Sequence, residues 1–386
     1  MLKRISIPKI REFLFYLVLT IELVVALVEK SDLYNPYESY IFRITFLITL
    51  LIVIITPYNV KEWICVIAFN ILGFYCYMHT GRNDLWRIIL LVLCCKTMDM
   101  QKSLKYFLYV TLIGSLVILF LSVTGIYGEK AVTSVFRANE EAVTRYCFGF
   151  GHPNGLQTMA FVITALFFYV YRDRLKIYTY IIVFAVNSLL YYFTDSRTSY
   201  AITIMLILGF FVYNLKPDLA KGFIYSIGTI FLYVFSVGFS LWAAVTAPKA
   251  WGDEYHGYAI QYKIDAILNG RINSIYANSA ERRGWAGSWS LFSDSISTEY
   301  FDMGWVRLYY WYGIIPASLI VIIIFAILVY CIRKKDMYLA ILIAIVAVYT
   351  IIEAHFVSDY NGRNFILLII GTMWSKAFYI DKTKKK

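Results

Sequence analysis

Leu308-Tyr-Tyr-Trp-Tyr-Gly-Ile-Ile-Pro-Ala-Ser-Leu-Ile-Val-Ile-Ile-Ile-Phe-Ala-Ile-Leu-Val-Tyr-Cys331 holds no charged residue, and Arg333-Lys334-Lys335 follow almost at once. A helix needs ~20 apolar residues to cross a bilayer. Lysine and arginine collect on the inner side of the membrane. This stretch therefore predicts a membrane helix that ends inside. Similar runs recur on both sides of it. They give twelve predicted spans, at about residues 13–28, 40–56, 62–78, 84–95, 105–126, 154–171, 177–194, 198–214, 222–245, 308–331, 337–353 and 364–380. The span at 84–95 is short and contains Arg87; without it, Lys96, Lys102 and Lys105 would lie outside.

Composition points the same way. The chain has 386 residues, 60% of them hydrophobic, where soluble domains are nearer half apolar. Its mean hydropathy is +0.64. The net charge of +11 does not indicate nucleic acid, because the basic residues gather at the termini and in short loops. That pattern sets orientation and attracts anionic lipid. The six cysteines show no CxxC or Cys/His metal spacing and read as small apolar packing residues. The first run, Phe13–Val28, lacks a small-x-small cleavage site and reads as a retained helix.

The expected fold is thus an all-α polytopic membrane protein of about twelve transmembrane helices. Residues 1–386 form a single transmembrane domain with both termini cytoplasmic. Two outer segments are long, a smaller extracytoplasmic loop at 127–153 and a large one at 246–303. Long polar loops in compact domains usually carry function. Within the large loop, Ile264, Ile267, Leu268, Ile272 and Ile275 recur at helical spacing, so Tyr262–Arg283 predicts an amphipathic helix over the mouth of the bundle. The aromatic run Trp285, Trp289, Tyr300, Trp305, Tyr309, Tyr310 and Trp311 fits an interfacial belt or a platform for sugar rings.

Three outer arginines go against the charge rule. Arg145 precedes Gly149-Phe-Gly-His-Pro-Asn154, where two glycines allow close backbone approach and Pro153 suits a first helical turn. Helix N-termini with free N–H groups are ready anion sites. Arg197 sits in the tight turn Asp195-Ser-Arg-Thr198, where it either pairs with Asp195 or faces an anionic ligand. Arg271 follows Asn269-Gly270 in the large loop; Arg282 and Arg283 read as a solvated face. A phosphate-like anion is the simplest partner for such cations. Candidate general bases are His152, Glu140, Glu141 and Asp302. The last outer turn adds Glu353, His355, Asp359 and Arg363, among which the sequence does not choose. Asn154, Ser196, Arg307, His355 and Arg363 are supporting candidates. No Walker loop, HExxH or Asp-x-Asp pair occurs, so no metal and no cofactor is expected.

These motifs carry a resemblance. The chain resembles Wzy-type oligosaccharide repeat-unit polymerases of the O-antigen ligase-like superfamily, above all those of Gram-positive capsule and exopolysaccharide clusters. Gly149-Phe-Gly-His-Pro-Asn154, Asp195-Ser-Arg-Thr198, Asn269-Gly-Arg271 and Trp311-Tyr-Gly-Ile-Ile-Pro-Ala317 behind Asp302 are similar to the family's motifs in order and spacing. An arginine-to-glycine spacing of the family is met by Arg271 and Gly287 but not at Arg145, where Phe161 stands.

The resemblance implies a multi-pass glycosyltransferase of the bacterial cell membrane with its active site facing outside. It would join polyprenyl-diphosphate-linked (undecaprenyl-type) oligosaccharides by inverting, metal-independent transfer. Arg145, Arg197 and Arg271 would bind the diphosphate, and His152 would be the first choice of base. Its partners would be the lipid-linked donor and acceptor, membrane lipid, and a flippase and chain-length regulator of the same route, with no nucleic acid. Two alternatives stand beside it. One is a glycan ligase of the same superfamily. The other is a lipid-linked oligosaccharide flippase, which would need charges deep inside several spans; Arg43, Arg87 and Lys376 sit near predicted span ends, where snorkelling accounts for them.

Overall fold

Each predicted span overlaps helix in the described residues. The structure, a computed structural model, describes residues 6–135, 141–217, 223–251, 259–276, 284–293, 301–354, 357, 360–374 and 376. The first five helices are α1 (Ile7–Glu29), α2 (Glu38–Ile54), α3 (Val60–Thr80), α4 (Asp84–Cys94) and α5 (Met100–Val123). A hairpin follows, β1 (Ala131–Ser134) and β2 (Val143–Tyr146), and then α6 (Pro153–Val170), α7 (Ile177–Thr194), α8 (Arg197–Leu215) and α9 (Phe223–Trp251). Two short helices, α10 (Ala259–Ile267) and α11 (Arg271–Tyr276), precede α12 (Gly304–Tyr312), α13 (Ile314–Arg333), α14 (Met337–Tyr349) and α15 (Ile366–Met373). Seven of these, α3, α5, α6, α7, α8, α13 and the Phe223–Pro248 part of α9, are long and apolar enough to cross a membrane. The chain is an all-α membrane protein with one small hairpin.

Local chemistry sets the ends of the helices. Asn59 and Glu62 form a reciprocal capping box at the start of α3, and Asp99 caps α5. Asp336 accepts from the Leu339 N–H and caps α14. Gly313 ends α12 at φ 93°, where only glycine is at ease, and a Cβ there would lie 2.6 Å from Phe292 Cα. The predicted span 308–331 is therefore two helices, with α12 starting earlier and breaking from α13.

Apolar pattern decides which helices lie inside. α6 is buried along 83% of its length, whereas α7 is buried along only 17%. α14 is buried over nearly its whole length and packs on α8, α9 and α13. An apolar-all-round helix belongs in the centre of a bundle or against lipid; α14 takes the first role and α7 the second. Trp305, Tyr309, Tyr310 and Trp311 are all buried, and Trp289 stacks on Tyr309 at 5.0 Å. These rings pack inward, so neither an exposed belt nor an open sugar platform describes them. Tyr300 lies outside the described residues.

One charge placement departs from expectation. Arg87 is 3% exposed and does not snorkel. It reaches from α4 to Glu22 of α1, with Nη2 3.1 Å from Oε2, and its guanidinium lies 3.5 Å from the Phe42 ring centroid. Thr45 of α2 donates to the same carboxylate at 2.7 Å. An interior ion pair needs such extra partners to offset its desolvation, and here it ties three helices together.

Candidate functional site

Among the described residues, six separate parts of the chain surround one cavity of about 1060 Å³. Its walls include Lys30, Arg145, His152, Asn154, Asp195, Ser196, Arg197, Arg271, Asp302 and Glu353. Residues far apart in sequence thus meet at one end of the bundle, and the three arginines singled out from the sequence share one space.

Arg145 comes from β2, which pairs antiparallel with β1 so that Arg145 faces Val132. The hairpin is anchored to the α1–α2 turn, where Asp32 Oδ2 accepts from the Glu129 N–H at 2.8 Å and the Asp32 N–H donates to the Gly149 carbonyl at 3.0 Å. Phe148, Gly149 and Gly151 all take left-handed φ, which turns the chain back toward α6. Arg145 is buried, with Nη2 2.9 Å from Asp195 Oδ2. Asp195 ends α7 at φ 44° and also faces Arg197, with Nε 3.5 Å from Oδ1. The two arginines differ in availability: the Arg145 side chain is 6% exposed and that of Arg197 is 62%. Arg197 thus pairs with Asp195 and also lines the cavity.

His152 is the N-cap of α6. Its Nδ1 accepts from the Asn154 N–H at 3.1 Å, while Asn154 Oδ1 accepts from Ser196 Oγ at 2.8 Å. Asn154 and Ser196 therefore link the α6 entry to the α7–α8 turn. Burial, then Lys30 and then Arg145, hold the imidazole below its ordinary range, with Asp302 opposing. A neutral ring whose Nδ1 is an acceptor carries its proton on Nε2. The Nδ1 lone pair that a base at this position would use is thus engaged in the cap.

Arg271 begins α11. The predicted single amphipathic helix is instead two, because Asn269 and Gly270 both take left-handed φ between α10 and α11. Asp265 Oδ1 accepts from the Ile272 and Asn273 N–H groups at 2.7 and 3.2 Å, which fixes the start of α11. The arginine donates Nε to the Ile352 carbonyl and Nη1 to the Leu268 carbonyl, both at 3.0 Å. Its Nη2 is 3.6 Å from Glu353 Oε1, and its Nε 3.7 Å from Asp302 Oδ2. Arg271 is thus committed to backbone and carboxylate and largely buried, whereas Arg197 pairs with Asp195 but is mostly exposed. Burial and then Asp302 push the Glu353 carboxyl up, and Arg271, Lys30 and Arg307 oppose them.

The remaining sequence candidates separate cleanly. Glu141 is exposed beside the hairpin and is not among the cavity walls. Arg307 is buried; its Nε donates to the Phe301 carbonyl at 2.7 Å and its guanidinium lies 4.9 Å from the Trp311 ring, so it braces α12 and does not line the cavity. Arg363 forms an ion pair with Glu29, a wall residue. Glu140, His355, Asp359, Arg282 and Arg283 lie outside the described residues. Among the charged wall residues, Glu29 and Lys30 were not singled out from sequence. Lys30 sits in a short loop between Glu29 and Asp32 and reads as part of a near-neutral turn. Glu353 was one choice among four in its turn; only the fold, which carries Arg271 to it, distinguishes it.

In chemical terms the cavity has a cationic side around Lys30, Arg145 and Arg197, and a side where Arg271 holds Asp302 and Glu353. The first suits an anion, and the second suits proton transfer. Compared with family models, curated proteins and solved structures, the chain matches none.

Proposed function

We propose that this chain is a polysaccharide polymerase that joins polyprenyl-diphosphate-linked oligosaccharide repeat units by inverting, metal-independent glycosyl transfer. The observation that carries the reading is the convergence of Lys30, Arg145, Arg197 and Arg271 on one large cavity from four separate segments. A hydroxyl of the acceptor attacks C1 of the donor sugar, the bond from C1 to the diphosphate oxygen breaks, and the leaving diphosphate takes the electron pair. Its growing charge needs neutralising in a site partly shielded from water, where fixed cations act strongly. Arg197 and Lys30 reach the diphosphate directly, Arg145 acts from behind Asp195, and Arg271 adds charge from the opposite wall.

In this reading the twelve spans are α1–α9, the α12–α13 pair, α14 and α15, with both termini cytoplasmic. The bundle end away from the cavity carries Lys96, Lys102, Lys105, Arg172, Arg174, Lys176, Lys216, Arg333, Lys334 and Lys335. That end is the cytoplasmic one by the charge rule, so the cavity opens outside, where the large loop contributes Arg271. The buried Glu22–Arg87 pair does not revive a transporter, because its charges satisfy each other and line no part of the cavity.

The test is a reconstituted membrane assay with a purified single repeat unit on polyprenyl diphosphate, with and without chelator. Chains of several repeats in both conditions support the reading. A product only when a different acceptor is supplied points to a ligase. Movement of intact lipid across the bilayer points to a flippase.

A further inference from the structure

We propose that Glu353 is the general base of this glycosyl transfer and that Arg271 positions it. The assignment rests on the reading of function above. Among the described residues, four carboxylates line the cavity: Glu29, Asp195, Asp302 and Glu353. All four meet cations, Asp302 and Glu353 at 3.7 and 3.6 Å from Arg271, but the other two are held at closer range. Glu29 pairs with Arg363, and Asp195 receives both Arg145 and Arg197. His152 uses its Nδ1 lone pair on the Asn154 N–H. Asp302 and Glu353 remain, and they differ in setting: the Asp302 side chain is 51% exposed and that of Glu353 is 26%.

Geometry favours Glu353. It stands on the turn just past α14, where its own N–H donates to the Tyr349 carbonyl at 2.9 Å. The Arg271 Nε donates to the carbonyl of the neighbouring Ile352. The guanidinium is therefore anchored to the segment that bears Glu353, and its Nη2 stands 3.6 Å from Oε1, which is longer than a close charge-assisted hydrogen bond. The carboxylate is oriented without being consumed. The charged groups that act on it are Asp302 from the segment before α12, Arg271 from α11, Lys30 from the α1–α2 turn and Arg307 from α12. Burial and Asp302 make it a stronger proton acceptor than an ordinary carboxylate, which suits a base working near neutral pH. As the acceptor oxygen bonds to C1, its proton passes to Glu353, while the electron pair of the broken bond leaves on the diphosphate. The proton then goes to water at the cavity mouth.

The experiment uses the full chain in lipid nanodiscs with a single repeat unit on polyprenyl diphosphate. E353Q keeps donor retention but slows turnover on the order of 100-fold or more. It also loses the acid limb of the pH profile, the fall in rate as pH drops through the carboxyl's raised range. E353A regains donor cleavage with azide, an anionic nucleophile that needs no base. E353D, which keeps the charge, retains a shifted acid limb and reports that the site has folded. A wild-type chain that polymerises while E353Q does so at the same rate and with the same pH profile overturns this assignment alone. Loss of the acid limb in D302N and not in E353Q overturns it in favour of Asp302. A folded wild-type chain that neither retains nor consumes the donor overturns the function and the assignment together.

Discussion

Arg197 and Arg145 share Asp195 but are held differently. Arg145 is enclosed and bound close to the carboxylate, whereas Arg197 leaves most of its side chain in the cavity. Hydrogen bonds to charged groups are worth about 1.5–3 kcal/mol. R197A should therefore lower donor affinity by roughly 10- to 100-fold with unchanged expression, as measured by retention of the lipid-linked donor. R145A should also lower the yield of folded protein, since it strands Asp195 and loosens the hairpin. His152 separates cap from catalysis. H152A removes the Nδ1 acceptor for the Asn154 N–H and should cost about 1 kcal/mol of stability, as other N-cap losses do. Turnover should fall far less than in E353Q. A pH profile of H152A without the wild-type acid limb would give the base role back to this imidazole.

At the scale of elements, the turn after α14 meets the start of α12. A Cβ at Gly304 would lie 2.7 Å from Ala354 Cα and 3.1 Å from the Glu353 carbonyl oxygen. The Gly304 N–H also donates to the Thr350 carbonyl at 2.9 Å. G304A should push this turn away from Arg271, slowing turnover about tenfold or more while α6 and its cap are untouched; positioning errors near 1 Å commonly cost this much or more. Single-turnover rates beside donor retention would show it as a loss in rate and not in binding.

The same elements show what sequence makes legible. Long apolar runs announce themselves by length, while the short α4 was legible only through the lysines that follow it. The Asn269-Gly270 break hides inside an apolar spacing that continues across it, because the isoleucines of α10 and α11 keep one register while the backbone does not. The β1–β2 hairpin is invisible for a related reason, since two four-residue strands carry too little alternation to rise above a polar loop. Cavity-lining residues were legible where charge broke a rule, as at Arg145, Arg197 and Arg271. Lys30 broke no rule, and Glu353 acquires its neighbours only through folding.

Across the whole molecule, charge is sorted by role. One buried pair, Glu22–Arg87, joins α1 to α4 away from the cavity, and Lys96–Glu62 does the same for α4 and α3 at the opposite end. Removing one partner of a buried pair costs about 3–5 kcal/mol. R87M should accordingly lower the melting temperature markedly, yet leave turnover of the folded fraction near wild type, because Arg87 lines no wall of the cavity. A scanning melt in detergent, paired with an assay at low temperature, separates the two effects. The central claim is that the cavity holding Lys30, Arg145, Arg197 and Arg271 consumes a lipid diphosphate to lengthen a glycan. The most direct measurement is mass spectrometry of lipid-linked products after the purified chain meets a single repeat unit on polyprenyl diphosphate. The account predicts a ladder spaced by one repeat, with one free polyprenyl diphosphate released per bond, and a ladder that shrinks in R197A. Intact substrate with no added repeat, in a folded chain that retains the lipid, would contradict it.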